Sequence, residues 1–424
     1  MKRHRFYACL LTVMTLAGFT ACSSTDNDGV TDGQTVNGKS QLTLTINTMG
    51  TRAGFTADPA DASNNPEKTI NRVTVGIFDS KNNVRTIQEF TSGDGTVGTN
   101  TFKTDGSTVM NIVTNKLAAG DKVLVAVNAP SGKFQGVQNV SDFQSKSVDA
   151  GRALATNATN EEKVQTDQVA DNAPMFGKAD LQAPGKDQTA YTASVNVSHL
   201  TAKISLTDIE VAFDPNGSYQ NATFSPTEIY VEHVVDGLNF NPEPGPWFDP
   251  STTSLLTGAT GVEGAKTYLT TGTISNVTLS GAKGTPTAKT NNKYYFYVTP
   301  SSNKTPSGTN ANAVRVWIKG DFDPDGSGEA TATTVFYPVL LNVKYDAAGA
   351  AVPAEDKTEK YEVYPNKNYI CTVVIKTKGL LGIGEGGKTQ PDGTNGNDEL
   401  KPQQATITVS VNDWTPVTQD TTFE

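Results

Sequence analysis

The chain has 424 residues, with 34 Lys and Arg against 44 Asp and Glu, and a formal net charge of -10. This acidic balance, without a basic cluster beyond the first residues, argues against a nucleic-acid groove or a polybasic membrane surface. The length allows two or three domains. Charged residues make up only 18%, while Thr, Ser, Asn, Gly and Val are abundant, which favours short strands and turns over long amphipathic helices.

The first residues have the pattern of a secretory signal. Lys2, Arg3 and Arg5 precede an apolar run over residues 6–19, and small residues follow it. Because Cys22 stands directly after these small residues, the segment resembles a bacterial lipoprotein signal, in which this thiol is acylated. An ordinary signal peptide with an accidental cysteine is the alternative. The polar residues after Cys22 predict a flexible tether, and the resemblance to a lipoprotein signal implies an outer-membrane lipid anchor.

Hydrophobic residues recur at every second position through most of the remaining chain, which predicts strands. The predicted strands are Leu42–Ile46, Arg72–Phe78, Val84–Phe90, Val109–Thr114, Lys122–Val127, Ala193–Leu200, Lys203–Phe213, Glu228–Val234, Thr273–Leu279, Lys293–Thr299, Ala313–Ile318, Thr334–Val343, Asn368–Lys376 and Ala405–Val411. One short helix is predicted over Val140–Thr156, with Ser141 and Asp142 as candidate caps. Strands this short and this many predict an all-β fold of two tandem β-sandwiches.

Composition divides the chain into six segments. We expect a signal peptide at 1–21, a propeptide with a removable first strand at 22–52, sandwich domains at 53–200 and 201–378, a Gly-rich linker at 379–404, and a C-terminal strand segment at 405–424. As a flexible coil the linker has a root-mean-square reach of about 28 Å. The chain therefore resumes with a strand after a long spacer.

Two short segments near opposite ends of the chain share one pattern. Residues 42–47 read LTLTIN and residues 407–412 read ITVSVN, so that aliphatic residues alternate with small hydroxylated ones before a closing Asn. The aliphatic positions are Leu42, Leu44 and Ile46 in the first segment and Ile407, Val409 and Val411 in the second. Each segment is suited to one hydrophobic groove. Trp414 follows the second segment, either to close the end of such a groove or as a half-buried aromatic.

A single basic residue lies just after the first of these segments. Arg52 has a glycine two positions before it and another two positions after it, and a Pro- and Asn-rich stretch follows Ala53. Such a stretch is typical of an exposed loop that a trypsin-like protease cuts. A cut between Arg52 and Ala53 would detach the first strand together with the lipid anchor. The vacated groove would then favour a strand of the same pattern from another copy, which is donor-strand complementation.

Several motifs in this order resemble one family, the fimbrillins of Bacteroidales, which are subunits of type V pili. The matching motifs are Thr51–Ala53, Arg72–Asp79, Val123–Pro130, Pro174–Gly177, His199–Ile204, Asn366–Ile370 and Val409–Trp414. The resemblance implies two transthyretin-like sandwich domains, an Arg-specific protease, and a homopolymer that also joins tip and anchor subunits. It implies a shaft subunit of a cell-surface fimbrium that supports adhesion and biofilm formation.

Other interpretations stay open beside this one. The chain is alternatively a monomeric surface lipoprotein whose sandwiches bind glycan or host protein, or an accessory tip or anchor subunit. No arrangement of residues favours an enzyme: we expect no catalytic residue, cofactor or nucleic-acid partner. No metal site is expected either, because His199 and His233 lack nearby cysteines. Asp321–Glu329 resembles the start of a calcium loop, but Ala332 occupies the expected acidic twelfth position, so a hairpin turn is the preferred interpretation.

Overall fold

The computed structural model describes residues 40–48, 67, 69–91, 107–114, 116–148, 173–186, 190–242, 255–280, 288–289, 294–302, 312–328, 331–345, 350–354, 358–381, 407–413 and 419–423. All of them belong to one compact unit, Gly33–Glu424. Within these residues, no helix has the length and apolar character that crossing a membrane requires.

Strands dominate the described residues, as the sequence predicts. The first eight are β1 (Ser40–Thr48), β2 (Arg72–Phe78), β3 (Val84–Thr91), β4 (Ser107–Thr114), β5 (Lys122–Val127), β6 (Ser147–Val148), β7 (Met175–Asp180) and β8 (Tyr191–His199), with α1 (Val140–Gln144) between β5 and β6. The next eight are β9 (Ala202–Val211), β10 (Thr223–Val235), β11 (Leu238–Asn239), β12 (Leu255–Thr257), β13 (Leu279–Ser280), β14 (Ala288–Lys289), β15 (Tyr294–Val298) and β16 (Arg315–Asp323). The last are β17 (Thr333–Leu340), β18 (Val343–Tyr345), β19 (Ala351–Pro353), β20 (Lys367–Ile375), β21 (Leu380–Leu381), β22 (Ile407–Asp413) and β23 (Gln419–Phe423).

The first sandwich is one seven-stranded sheet in the order β3-β2-β5-β7-β8-β1-β4. The ladder between β7 and β8 has two pairs, at Met175 and Phe176, and marks the corner between two layers. Alternate residues of β2 and β5 on one layer share a core with those of β1 and β8 on the other. The period-two alternation of the sequence therefore decides which side chains meet between the layers.

The second sandwich packs two further sheets face to face. One has the order β12-β10-β16-β17-β21, and the other the order β14-β9-β20-β22. Aliphatic residues of β9, β10, β16, β17 and β20 form its core. β15 also pairs with β9. On β15, Tyr294 and Phe296 pack on this core, while Tyr295 and Tyr297 pack on a separate cluster on the other face. The all-β fold of tandem sandwiches is confirmed.

The predicted helix over Val140–Thr156 is wrong in its length and its cap. α1 is a single turn, and β6 begins three residues after it. Its N-cap is Asn139, whose side-chain oxygen accepts a hydrogen bond from the backbone N–H of Asp142 at 2.9 Å. Ser141 is inside the turn rather than before it. An extended Asn with this bond satisfies an N–H group that the first turn leaves unpaired.

Two strand assignments also differ from the sequence prediction. The predicted strand Thr273–Leu279 is wrong, since only Leu279 of this stretch lies in a strand, β13. Asn276 has a φ of 62°, which breaks the extended conformation. β7 was not predicted, because its buried residues are consecutive rather than alternating. Phe176 packs on the outer face of the sheet and Met175 on the inner core, so both faces of this strand are covered.

A second buried layer covers the outer face of β10, β16 and β17 around Trp317. The indole Nε1 of Trp317 donates a hydrogen bond to the Glu232 carboxylate at 2.7 Å. Burial raises the pKa of Glu232 to about 7, while the Trp317 bond and the Arg315 charge act to lower it. This carboxyl group is therefore protonated more readily in the folded chain than in the unfolded one.

The free energy of unfolding should fall as the pH rises from 4.5, the ordinary pKa of Glu, to about 7, and we expect Glu232→Gln to reduce this fall. Because the folded-state pKa is raised, the folded chain binds more protons across this window, and its free energy of unfolding falls as the pH rises. The fall attributable to Glu232 is on the order of 3 kcal/mol. Urea unfolding of both proteins across this window measures it. An equal decline in the variant would contradict this origin.

Candidate functional site: the position of the first strand

β1 lies inside a sheet, with a paired strand on each side. It runs parallel to β8 and antiparallel to β4. At its centre, Leu44 is in register with Ala193 of β8 and Met110 of β4. Both edges of β1 are therefore occupied by ladder pairing, and its position is a slot between two strands.

The predicted aliphatic positions of β1 are all buried. Leu42, Leu44 and Ile46 have no exposed surface, whereas Thr43 and Thr45 are half-buried on the other face. The three aliphatic side chains belong to the core of the first sandwich. The structure thus brings together the three residues that the sequence selects for a removable strand, and it places them in one hydrophobic row.

The slot is lined by residues that the sequence pattern alone does not identify. On the two neighbouring strands, the buried residues of the same core are Ile112, Tyr191, Ala193, Val195 and Val197. Alternate residues of β2 and β5 form its floor on the opposite layer. Apart from the Tyr191 hydroxyl, these described lining residues are apolar, which suits a strand with aliphatic residues at alternate positions.

The noncovalent attachment of β1 is strong. Burial of three aliphatic side chains stabilises the strand by about 1.5–3 kcal/mol each. Ladder hydrogen bonds on both edges add about 0.5–1.5 kcal/mol apiece. An empty slot therefore leaves a large apolar surface and two rows of backbone groups without partners.

The chain is firmly anchored again at Glu67, fifteen residues after Arg52. The Glu67 carboxylate accepts hydrogen bonds from the Lys203 ammonium and the Tyr297 hydroxyl, each at 2.6 Å. The side chains of Glu67 and Lys203 are 0% and 1% exposed. The ring Nε2 of His199 lies 2.7 Å from the Glu67 carbonyl oxygen, and burial lowers the pKa of this imidazole. A buried ion pair thus ties this point of the chain to β9 and β15.

A second anchor lies close by at Asn128, in a motif that carries the family resemblance. Its φ is 57°, and its side-chain oxygen accepts the backbone N–H of Asn71 at 2.9 Å. Its amide donates to the carbonyl oxygens of Thr69 and Ala173, at 2.9 and 3.0 Å. The start of β2 is therefore held independently of β1.

Sequence reasoning missed the role of Glu67 and Lys203. The available signal was a Lys inside the apolar alternation of β9. A buried Lys requires a carboxylate partner, but 136 positions separate the two residues along the chain. The topology alone brings them together.

The tail residues named from the sequence lie on a strand of the second sandwich. Ile407, Val409 and Val411 belong to β22, which pairs antiparallel with β20 of the same chain. Val411 is in register with Tyr369. β23 continues along β20 in parallel. The backbone of β22 and β23 is therefore paired with one edge of β20 in the same chain.

Four predicted site residues lie outside the described residues. They are the lipidation site Cys22, the cleavage positions Arg52 and Ala53, and Trp414 of the tail. The processing steps that depend on them stay predictions.

The acidic segment near Asp321 forms a hydrogen-bonded turn. Asp323 accepts the Gly328 N–H at 2.7 Å and the Thr331 hydroxyl at 2.6 Å. A side-chain hydrogen bond from Ser327 lowers the pKa of Asp325, and the Ser327 backbone N–H, which Asp325 accepts at 2.9 Å, lowers it further. Among the residues that the structure describes, no group of three or more His, Cys, Asp or Glu side chains is placed to hold a metal ion.

His233 and Cys371 are both buried in the second sandwich. His233 has a φ of 62°, and its Nδ1 lies 3.2 Å from the carbonyl oxygen of Ala313. Cys371 lies in the sandwich core, and burial raises the pKa of its thiol well above the usual range. Both positions are those of packed side chains rather than of a reactive centre.

The two sandwiches and the slot define a β-sandwich protein with an internal strand near its N-terminus. Residues 40–208 match the family model described as "Major fimbrial subunit protein (FimA)". This match starts at the first residue of β1 and ends within β9. This match confirms the resemblance to the fimbrillins over residues 40–208. No curated protein matches the chain in sequence.

Solved structures are similar to this chain at low sequence identity. A candidate cell adhesion protein from Parabacteroides distasonis is 12% identical, with a TM-score of 0.52, over 90% of this chain and 97% of that one. A fimbrilin (fimA) from Porphyromonas gingivalis is 14% identical, with a TM-score of 0.49, over 90% and 97%. The tip fimbrial protein Mfa3 from Porphyromonas gingivalis, with a C-terminal truncation, is 12% identical, with a TM-score of 0.45, over 88% and 99%.

Leu44→Ala should destabilise the uncut chain by about 2–5 kcal/mol, because the truncation leaves a cavity between the two layers. Thr45→Ala, on the half-buried face of the same strand, should change the free energy of unfolding by less than about 0.5 kcal/mol. Urea unfolding of the two variants beside the original chain measures both changes. Equal effects would show that the row of aliphatic residues is not what holds β1.

Proposed function

We propose that this chain is the shaft subunit of a cell-surface fimbrium and that it polymerises by strand exchange. Each subunit loses β1 and receives in its place the tail strand of another copy. One observation carries the proposal: β1 fills an internal slot, with three fully buried aliphatic residues and a paired strand on each side. The role is structural and non-enzymatic.

Processing opens the slot in this proposal. The chain reaches the outer membrane as a lipoprotein acylated at Cys22 and is cut between Arg52 and Ala53. After the cut, only noncovalent contacts hold β1 in place, so it can leave and be replaced. The Glu67 and Asn128 anchors lie after the cut, and they keep β2 and the rest of the first sandwich in position. As part of this proposal, residues 53–200 and 201–378 are the two domains.

The matching patterns of β1 and the tail define the register of the replacement. Ile407 takes the place of Leu42, Val409 that of Leu44, and Asn412 that of Asn47. The incoming strand must run parallel to β8, as β1 does. Donor and acceptor are different surfaces of the subunit, so the contact is head-to-tail and extends into a filament unless it closes on itself.

The rival function keeps the chain monomeric, as a surface lipoprotein that binds glycan or host protein. One observation favours it: β22 and β23 already pair with β20 of their own chain. In the shaft subunit this pairing has to be released before exchange. A tail that never leaves β20 would leave the slot without a donor.

Arg52→Ala should leave the chain uncut and monomeric, because β1 stays covalently attached and keeps the slot filled. Treatment of the original precursor with a trypsin-like protease should give a fragment beginning at Ala53 and ladders that resist SDS. N-terminal sequencing and gel electrophoresis measure both. Lys39→Ala, which removes the nearest other basic residue before the cut, should process and assemble normally. Normal ladders from Arg52→Ala would contradict the processing step.

A further inference from the structure

β4 depends on β1 for its place in the sheet. It stands at the end of the strand order, next to β1. Its ladder with β1 extends from Ser107, opposite Asn47, to Thr114, opposite Ser40. Among the residues that the structure describes, no second strand pairs with β4. Removal of β1 therefore takes away the whole ladder that β4 has there.

The chain just after β4 is held by other contacts. Leu117 is buried in the core of the first sandwich. The carboxylate of Asp121 accepts the backbone N–H of Ala118 at 2.9 Å and forms an ion pair with Arg85. The Asp121 carbonyl oxygen accepts the N–H of Leu181 at 2.7 Å. Among the described residues, the contacts of Asp121 are with Arg85, Ala118 and Leu181 rather than with β1, so the chain just after β4 keeps these contacts when β1 leaves.

A strand fixed at one end and unpaired along both edges is unstable in a sheet. Its backbone groups lose their partners on the β1 side, and each buried group left unpaired costs about 1–3 kcal/mol. An isolated strand has no compensating ladder.

We infer that β4 leaves the sheet together with β1 and folds again only on the incoming strand. This inference rests on the proposed strand exchange and adds a second moving element to it. The acceptor site is then formed by β8 and the opposite layer before docking, and it is completed by β4 during docking. Occupation of the slot is coupled to the folding of Ser107–Thr114.

Two features of assembly follow from this coupling. The incoming strand must present two free edges, since it pairs with β8 on one side and templates β4 antiparallel on the other. An incoming strand that pairs only with β8 leaves the site without β4 and therefore incomplete. Between cutting and docking, the subunit exposes β4 as an additional unpaired strand.

Hydrogen exchange tests the coupling on the full-length chain. A chain carrying both Val409→Asp and Val411→Asp should be cut by the protease yet remain unassembled. In this cut monomer the β4 amides should exchange at least tenfold faster than in the precursor, whereas the β5 amides should not change. An added peptide with the sequence of residues 405–417 should restore the protection of β4 and protect β8 at the same time.

The two readouts separate this inference from the proposed function. In one outcome, the peptide protects β8 while the β4 amides keep their protection throughout. This result would overturn the coupling and leave strand exchange intact. Absence of any β8 protection on addition of the peptide would contradict strand exchange itself. Ile112→Ala should weaken peptide binding by at least tenfold, while Thr86→Ala in β3 should not change it. Unchanged affinity in Ile112→Ala would also overturn the inference.

Discussion

The pairing of β1 on both of its edges is the interaction on which the rest of this account depends. An edge strand can be lost from a sheet with little effect on its neighbours. An internal strand leaves two rows of unpaired backbone groups and an apolar channel. Since β1 joins β8 to β4 and fills the core with three aliphatic side chains, its removal would leave the β8 edge and an apolar channel open to a strand of the same pattern.

The remaining structure limits this change to one part of the molecule. The buried Glu67–Lys203 pair and the Asn128 side chain hold the chain beyond the proposed cut. Within the described part of the chain, the core of the second sandwich contains no residue of β1. In the proposed exchange, a subunit therefore loses its first strand while the second sandwich, which carries the tail, stays folded. A head-to-tail polymer needs both properties in the same chain.

Much of this arrangement could be predicted from the sequence, because alternation reports which face of a strand is buried. Leu42, Leu44 and Ile46 were identified in this way. The alternation does not show which strands lie next to each other in a sheet. The internal position of β1 and its two partner strands could therefore be seen only in the structure. The same limit hid β7, which is covered on both faces, and the partner of Lys203, which is far away along the chain.

The most direct measurement of the central claim is a cross-link between copies. In the proposed register, Val409 of one subunit lies beside Ala193 of the next, in the place of Leu44. Strands at this spacing bring Cα atoms within the range of a disulfide. Ala193→Cys chains and Val409→Cys chains are mixed, cut with the protease and assembled. An intermolecular disulfide should then form within the SDS-resistant ladders. With Thr408→Cys in place of Val409→Cys, far less of this disulfide should form. Ladders without this link, or equal linking through position 408, would contradict the account.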